Sequence, residues 1–147
     1  MDFKGFVKEV WMLAGRLSAE YADRICFDLI SGCWLWVGHV SVMGYARYGS
    51  RKRYAHRLIY EALVGPIPAG MELDHLCRAH RCVNPSHLEV VTHRENILRG
   101  RGPAAAHARK TECVNGHPFD AANTYSWGPE GRYRSCRTCD RERHRAM

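Results

Sequence analysis

Apolar residues recur at three- and four-residue steps near the start of the chain: Phe3, Phe6, Val7, Val10, Leu13, Ala14, Leu17 and Tyr21. That period predicts an amphipathic helix or helix pair that covers a core or a partner subunit. Further along, the pattern shortens. Cys33–Val37, Tyr45–Tyr48 and Arg53–Ala55 are short, aromatic and β-prone, and glycines punctuate them. They predict a small antiparallel sheet. Arg57–Leu63 returns to helical spacing and stops at Gly65-Pro66-Ile67-Pro68. A strand at Glu72–Leu76, a Cys/His-rich loop and a strand at Leu88–Val91 come next. Thr92 and Glu95 then stand in capping-box spacing and open a helix to about Arg99, with Gly100 as its stop. Gly100–Lys110 is rich in Ala, Gly and Arg without an apolar period, which reads as a linker. Thr111–Met147 is too small to hold a core of its own without a staple.

Composition narrows the class. The 147 residues are 46% hydrophobic and 25% charged, an ordinary globular balance. The formal net charge is +7 and the pI about 9.2, a surplus that favours a polyanionic partner such as nucleic acid. No apolar run approaches the roughly 20 residues that span a bilayer, and Met1-Asp2-Phe3-Lys4 does not begin a signal peptide. A reducing cytoplasm is therefore expected, where seven cysteines are metal ligands or buried thiols rather than disulfides.

Two constellations carry metal-ligand chemistry. In Cys77-x4-Cys82-x4-His87, three ligands can converge on one ion only if the loop folds around it. Zinc takes four in a tetrahedron. Cys33 is the preferred fourth and Cys26, in an apolar helical context, the competitor. The second set is Cys113-x3-His117 with Cys136-x2-Cys139, two knuckle-like pairs separated by a hairpin's length of chain. They read as a zinc ribbon, which supplies the staple.

Asp74 and His75 end a strand just before the first loop, and Asn96 lies in the first turn of the following helix. A helix packed across the strand pair sets an imidazole near a carboxylate–carboxamide pair. Oxygen ligands in an open site suit Mg²⁺ or Mn²⁺, and an imidazole can deprotonate water for phosphodiester hydrolysis.

These segments resemble a known family. Asp74-His75-Leu76-Cys77, Cys82-Val83-Asn84-Pro85-Ser86-His87-Leu88 and Thr92-His93-Arg94-Glu95-Asn96 look like the HNH endonucleases common in phage genomes. They are similar also to the His-Cys box homing endonucleases, which share the ββα-metal (His-Me finger) fold. Gly32-Cys33-Trp34-Leu35-Trp36, Ala55-His56-Arg57 and the Cys113–Cys139 segment extend the likeness. It implies His75 as general base and Asn96 with Asp74 as ligands of a catalytic Mg²⁺ or Mn²⁺. Cys33, Cys77, Cys82 and His87 would hold one structural zinc, and Cys113, His117, Cys136 and Cys139 a second. An arginine would contact the scissile phosphate, Arg57 before Arg53. Zinc and His87 would take over the loop-locking duty of the family's middle asparagine, leaving Asn84 without one. His93 and His80 are read as solvent-exposed groups.

The expectation is thus an α+β, ββα-metal nuclease with a zinc-stabilised loop and a C-terminal zinc ribbon. It comprises a helical segment at 1–30, the HNH domain at 31–100, a linker at 101–110 and the ribbon at 111–147. The partner would be double-stranded DNA. A homodimer stays open, since one active site cuts one strand, and the location would be the host cytoplasm for a phage-encoded chain. The rival is a non-catalytic zinc protein that binds DNA. Target sequence, nicking against double-strand cutting, and a homing, packaging or host-DNA-degrading role are open.

Overall fold

The computed structural model of the protein describes residues 15, 17–49, 53–131 and 133–145. The chain divides into two units, residues 1–96 and 97–147. The helical period from Phe3 to Ala14 lies outside the described residues. Its last members lie inside: Leu17 is buried and Tyr21 sits in a short helix α1, Ala19–Ala22.

In the first unit, β1 (Ile25–Phe27) and β2 (Trp34–Trp36) form an antiparallel hairpin with Ile25 opposite Trp36. Asp28 shapes its turn, accepting from the Ile30 N–H and the Ser31 hydroxyl. This corrects the helical reading at the end of the 1–30 segment, where Ile25–Phe27 is a strand. Ile25-Cys26-Phe27 is β-branched and aromatic, and Trp34–Trp36 offers it a partner strand. β3 (Arg47–Tyr48) and β4 (Arg53–Tyr54) form a second hairpin. The expected sheet is therefore two separate strand pairs.

Helix α2, Ala55–Leu63, follows β4 directly. It buries Ala55, Ile59 and Leu63 against Leu17, Ala22, Trp36, Ala46 and Val83, the core of this unit. β5 (Met71–His75) pairs antiparallel with β6 (Leu88–Thr92), His75 opposite Leu88. Helix α3, His93–Arg99, leaves β6 through the expected capping box. The Thr92 N–H donates to Glu95 at 2.8 Å and the Glu95 N–H to the Thr92 hydroxyl at 3.2 Å.

The second unit takes in the end of α3 and then helix α4, Pro103–Arg109, where a linker was expected. Proline in its first turn and the alanines that follow favour a helix, Ala105 is fully buried, and Arg109 donates to the carbonyls of Leu98 and Gly100. β7 (Thr124–Trp127) and β8 (Tyr133–Cys136) form the expected hairpin, and helix α5, Arg137–Arg145, follows β8 without a break. Among the described residues, no helix is long and apolar enough to cross a membrane.

Candidate functional site

The loop between β5 and β6 is held against β2. The Val83 N–H donates to the Trp34 carbonyl, the Trp36 N–H to the Arg81 carbonyl, and Leu35 bridges Cys82. That pairing carries Cys33, one residue before β2, to the loop. Cys33, Cys77, Cys82 and His87 then hold their ligand atoms within 4.8 Å of one another. Cys33 Sγ stands 3.5 Å and Cys82 Sγ 3.7 Å from His87 Nδ1. A small tetrahedral ion with bonds of about 2.1–2.3 Å separates its ligands by roughly 3.4–3.8 Å, so the quartet fits one. Burial pushes the Cys82 thiol up to about 12, and Cys77 and Cys33 add to the push. Clustered thiols ionise together only around a compensating cation. Cys26, the competing ligand, is exposed on β1 rather than in a helix.

Asn84 does lock the loop, contrary to expectation. Its side chain accepts from the Ser86 N–H and hydroxyl and donates to the Gly32 carbonyl at 2.8 Å.

Cys113, His117, Cys136 and Cys139 make the second quartet. Cys113 Sγ lies 3.6 Å from both His117 Nδ1 and Cys139 Sγ, and Cys136 Sγ 3.7 Å from His117 Nδ1. The second pair straddles the end of β8 and the first turn of α5, so the unit is a knuckle, a hairpin and a helix. Asn123 secures it, accepting from the Thr138 N–H and donating to the Pro118 carbonyl.

His75, at the end of β5, is 4% exposed. Its Nε2 lies 3.1 Å from the Cys82 carbonyl. A carbonyl only accepts, so Nε2 carries the proton and the neutral ring keeps a bare lone pair on Nδ1. Burial lowers the pKa, which holds the ring neutral. Around it stand His56, edge-on at 4.7 Å between ring centroids, Tyr45 at 5.9 Å and His80 at 5.9 Å. His80 is exposed, as expected, but held in place. It stacks on Tyr45 at 4.2 Å and its Nδ1 donates to the Met43 carbonyl. His56 is buried, and burial, then the neighbouring His75 and Arg57 charges, lowers its pKa to about 3. Its Nδ1 has no partner among the described residues.

Asp74 and Glu72, two apart on β5, share one face. Asp74 is buried, with one oxygen 2.7 Å from the Arg78 guanidinium. Glu72 carries no motif and escaped the sequence reading. One of its oxygens accepts from Asn96 Nδ2 at 2.6 Å and the other lies 2.7 Å from His93 Nδ1. The Asn96 amide, then His93, holds the Glu72 carboxyl below its usual range. Asn96 thus gives its NH2 to Glu72 and keeps its carbonyl oxygen for another partner. His93, though exposed, is tied into this chain of contacts. Arg57 is close enough for its charge to act on both His56 and Glu72, whereas Arg53 leans on Glu61 at 3.8 Å.

Residues 53–98 match a family model described as HNH endonuclease. The chain is 36% identical over 78 residues to the uncharacterized gene 5.3 protein of Enterobacteria phage T3, covering 47% of this chain and 77% of that protein. It is 38% identical over 75 residues to Protein 7.7 of Escherichia phage T7, covering 47% and 58%. It is 34% identical over 70 residues to Protein 2.8 of the same phage, covering 45% and 47%. No solved structure matches.

Proposed function

Since the chain belongs to the HNH endonuclease family, we propose that it hydrolyses phosphodiester bonds of double-stranded DNA, with His75 as general base and a divalent cation at Asn96 and Asp74. The observation that carries the reading is the bond from His75 Nε2 to the Cys82 carbonyl. It presents an unprotonated Nδ1, on a ring kept neutral by burial, as the acceptor for a water proton. A bound Mg²⁺ or Mn²⁺ would stabilise charge on the phosphate and the leaving oxygen. Asn96 contributes its carbonyl oxygen, which Glu72 orients by holding the NH2. Asp74 contributes the second oxygen, steadied by Arg78. Arg57 contacts the scissile phosphate. The two quartets, each of cysteines completed by a histidine, take structural zinc, the ion suited to sulfur and imidazole in a closed tetrahedron. Relatives from two phages support a role inside a bacterial host. The buried neutral imidazole weighs against the rival reading of a non-catalytic zinc protein that binds DNA, which needs no such group.

The test is supercoiled plasmid with Mg²⁺, resolved into nicked and linear forms. His75→Ala should lower the rate about 100- to 10,000-fold, the span of positioned proton transfer, while zinc content and DNA affinity hold. His75→Gln can still donate to the Cys82 carbonyl yet takes no proton, so it should be as inactive. Asn96→Ala should also fall, and added Mg²⁺ should restore it in part but not the His75 variants. Wild-type cutting by His75→Gln would leave the DNA-binding zinc protein as the better reading.

A further inference from the structure

The second unit carries a surface that strand cleavage does not use. In the β7–β8 hairpin, Trp127 stands opposite Tyr133 and Tyr125 opposite Ser135. Side chains alternate across a strand, so these four project from one face. Trp127 Nε1 donates to the Ser135 hydroxyl diagonally across it. The opposite face is occupied. It bears Cys136 of the metal quartet and Arg134, whose guanidinium lies 4.1 Å over the Phe119 ring and donates to the carbonyls of His107 and Lys110.

The aromatic face stays open. Trp127 is 52% and Tyr133 47% exposed, although their rings lie against each other at 4.6 Å. Gly128 permits that contact: its φ is +80°, and a Cβ there would stand 2.8 Å from the Tyr133 ring. Tyr125, on the same face, lines an open cleft of about 570 Å³ with Ala122, Arg137, Asp140 and Arg141. The Arg137 guanidinium lies 5.6 Å from the Tyr125 ring centre. Asp140, the one acid in the cleft, faces Arg143 at 3.7 Å and His144 at 3.9 Å. Residues 97–147 contain ten Lys/Arg against five Asp/Glu, so most of the chain's net charge of +7 resides here.

The geometry points to a binding platform for single-stranded DNA, on which unpaired bases stack against the Trp127–Tyr133 pair while the sugar-phosphate chain passes Arg137 and Arg141. Duplex bases are already stacked on one another, so an aromatic pair on a protruding hairpin gains only from bases that are free. Every base has a π-face, so the platform is indifferent to sequence. The arginines beside Tyr125 match the charge of the backbone that must follow. This surface would draw the nuclease to gaps, flaps or branches. It rests on the nucleic-acid reading above but uses none of the catalytic residues.

The test uses the full chain, metal-loaded and carrying His75→Gln so that DNA survives. Anisotropy titrations compare a short labelled single strand with a blunt duplex of the same length. Trp127→Ala should weaken single-strand binding about 5- to 150-fold, the range for removal of one stacked base, and leave duplex binding unchanged. Trp127→Phe should retain most of the affinity. Trp127→Leu, apolar but without a ring face, should behave like the alanine variant. Melting temperature and metal content show that each variant is folded. Equal losses on both DNA forms, an unaffected Trp127→Ala, or a leucine variant as good as phenylalanine would each overturn the platform. Smaller particles by light scattering for Trp127→Ala, with single-strand binding intact, would assign the face to a second copy of the chain and overturn it too. If Trp127 proves irrelevant while plasmid is still cut, this inference fails alone; if neither DNA form is bound, the nucleic-acid reading fails with it.

Discussion

Replacing Glu72 separates positioning from coordination. Its carboxylate holds Asn96 at 2.6 Å and His93 at 2.7 Å. Hydrogen bonds to a charged group are worth about 1.5–3 kcal/mol each when shielded. The Glu72 side chain is 38% exposed, and water screens such contacts, so about 1–2 kcal/mol for the pair is the appropriate scale. Glu72→Ala frees the Asn96 amide to rotate, and that energy converts to a rate loss of roughly 5- to 30-fold at low Mg²⁺. High Mg²⁺ should recover much of it, because the cation then selects the productive rotamer. Glu72→Gln has nearly the same shape. Its carbonyl can accept from Asn96 and its NH2 can face His93, so the loss should stay under about fivefold. The assay is the initial rate of plasmid nicking against Mg²⁺ concentration for wild type and both variants. Full activity of Glu72→Ala at every Mg²⁺ concentration would refute the positioning role. A glutamine variant as poor as alanine would show that the charge is needed and that Glu72 itself ligates the cation.

Two further outcomes follow from the metal sets and the charge distribution. Cys82→Ala should reduce zinc from two ions per chain to one by elemental analysis and unfold the first unit, because structural zinc supplies on the order of 10 kcal/mol in small domains; a wild-type melting profile would count against the loop assignment. Replacing Arg143 and Arg145, both exposed on α5, with alanine should lower the log–log salt slope of duplex binding by about 0.9 for each phosphate that an arginine had neutralised; an unchanged slope would remove α5 from the DNA interface.

The sequence made the two Cys/His quartets legible because ligand spacing is a local property with a narrow meaning. Cys77, Cys82 and His87 have few other reasons to stand so close in so polar a loop, and both quartets close as expected. The Thr92–Glu95 box was legible for the same reason. What escaped depends on contacts distant in sequence. His80 is in solvent as it looked, but only the fold brings Tyr45 under its ring. Glu72 was only the first residue of an expected strand, yet it shares a strand face with Asp74 and lies within reach of α3; two acids at i and i+2 before a first-turn asparagine were the available signal. β1 was masked by the helical period before it, and its three residues are too few to announce a strand alone. The helix at Pro103–Arg109 was legible from proline at its start and a run of alanines, but the absence of an apolar period suggested a linker.

Cys82 joins the two kinds of chemistry in this chain. Its thiol belongs to the first quartet, its backbone bridges Leu35 of β2, and its carbonyl accepts from His75 Nε2. The imidazole–carbonyl bond is a small term, about 0.5–1.5 kcal/mol. A structural metal is roughly ten times larger. With an ion in the quartet, the large term would set where the small one can form, and the tautomer of the proposed base would be only as well defined as the loop that carries its acceptor. If stripping the loop let that carbonyl move, the two neutral tautomers of His75 would compete, and Nδ1 would lose its assignment as the proposed acceptor of a water proton. On the proposed mechanism, loss of cutting on chelation would therefore have two origins. Readdition of Mg²⁺ alone should reverse the one at Asn96 and Asp74, whereas the one at Cys82 should require the structural ion to return first.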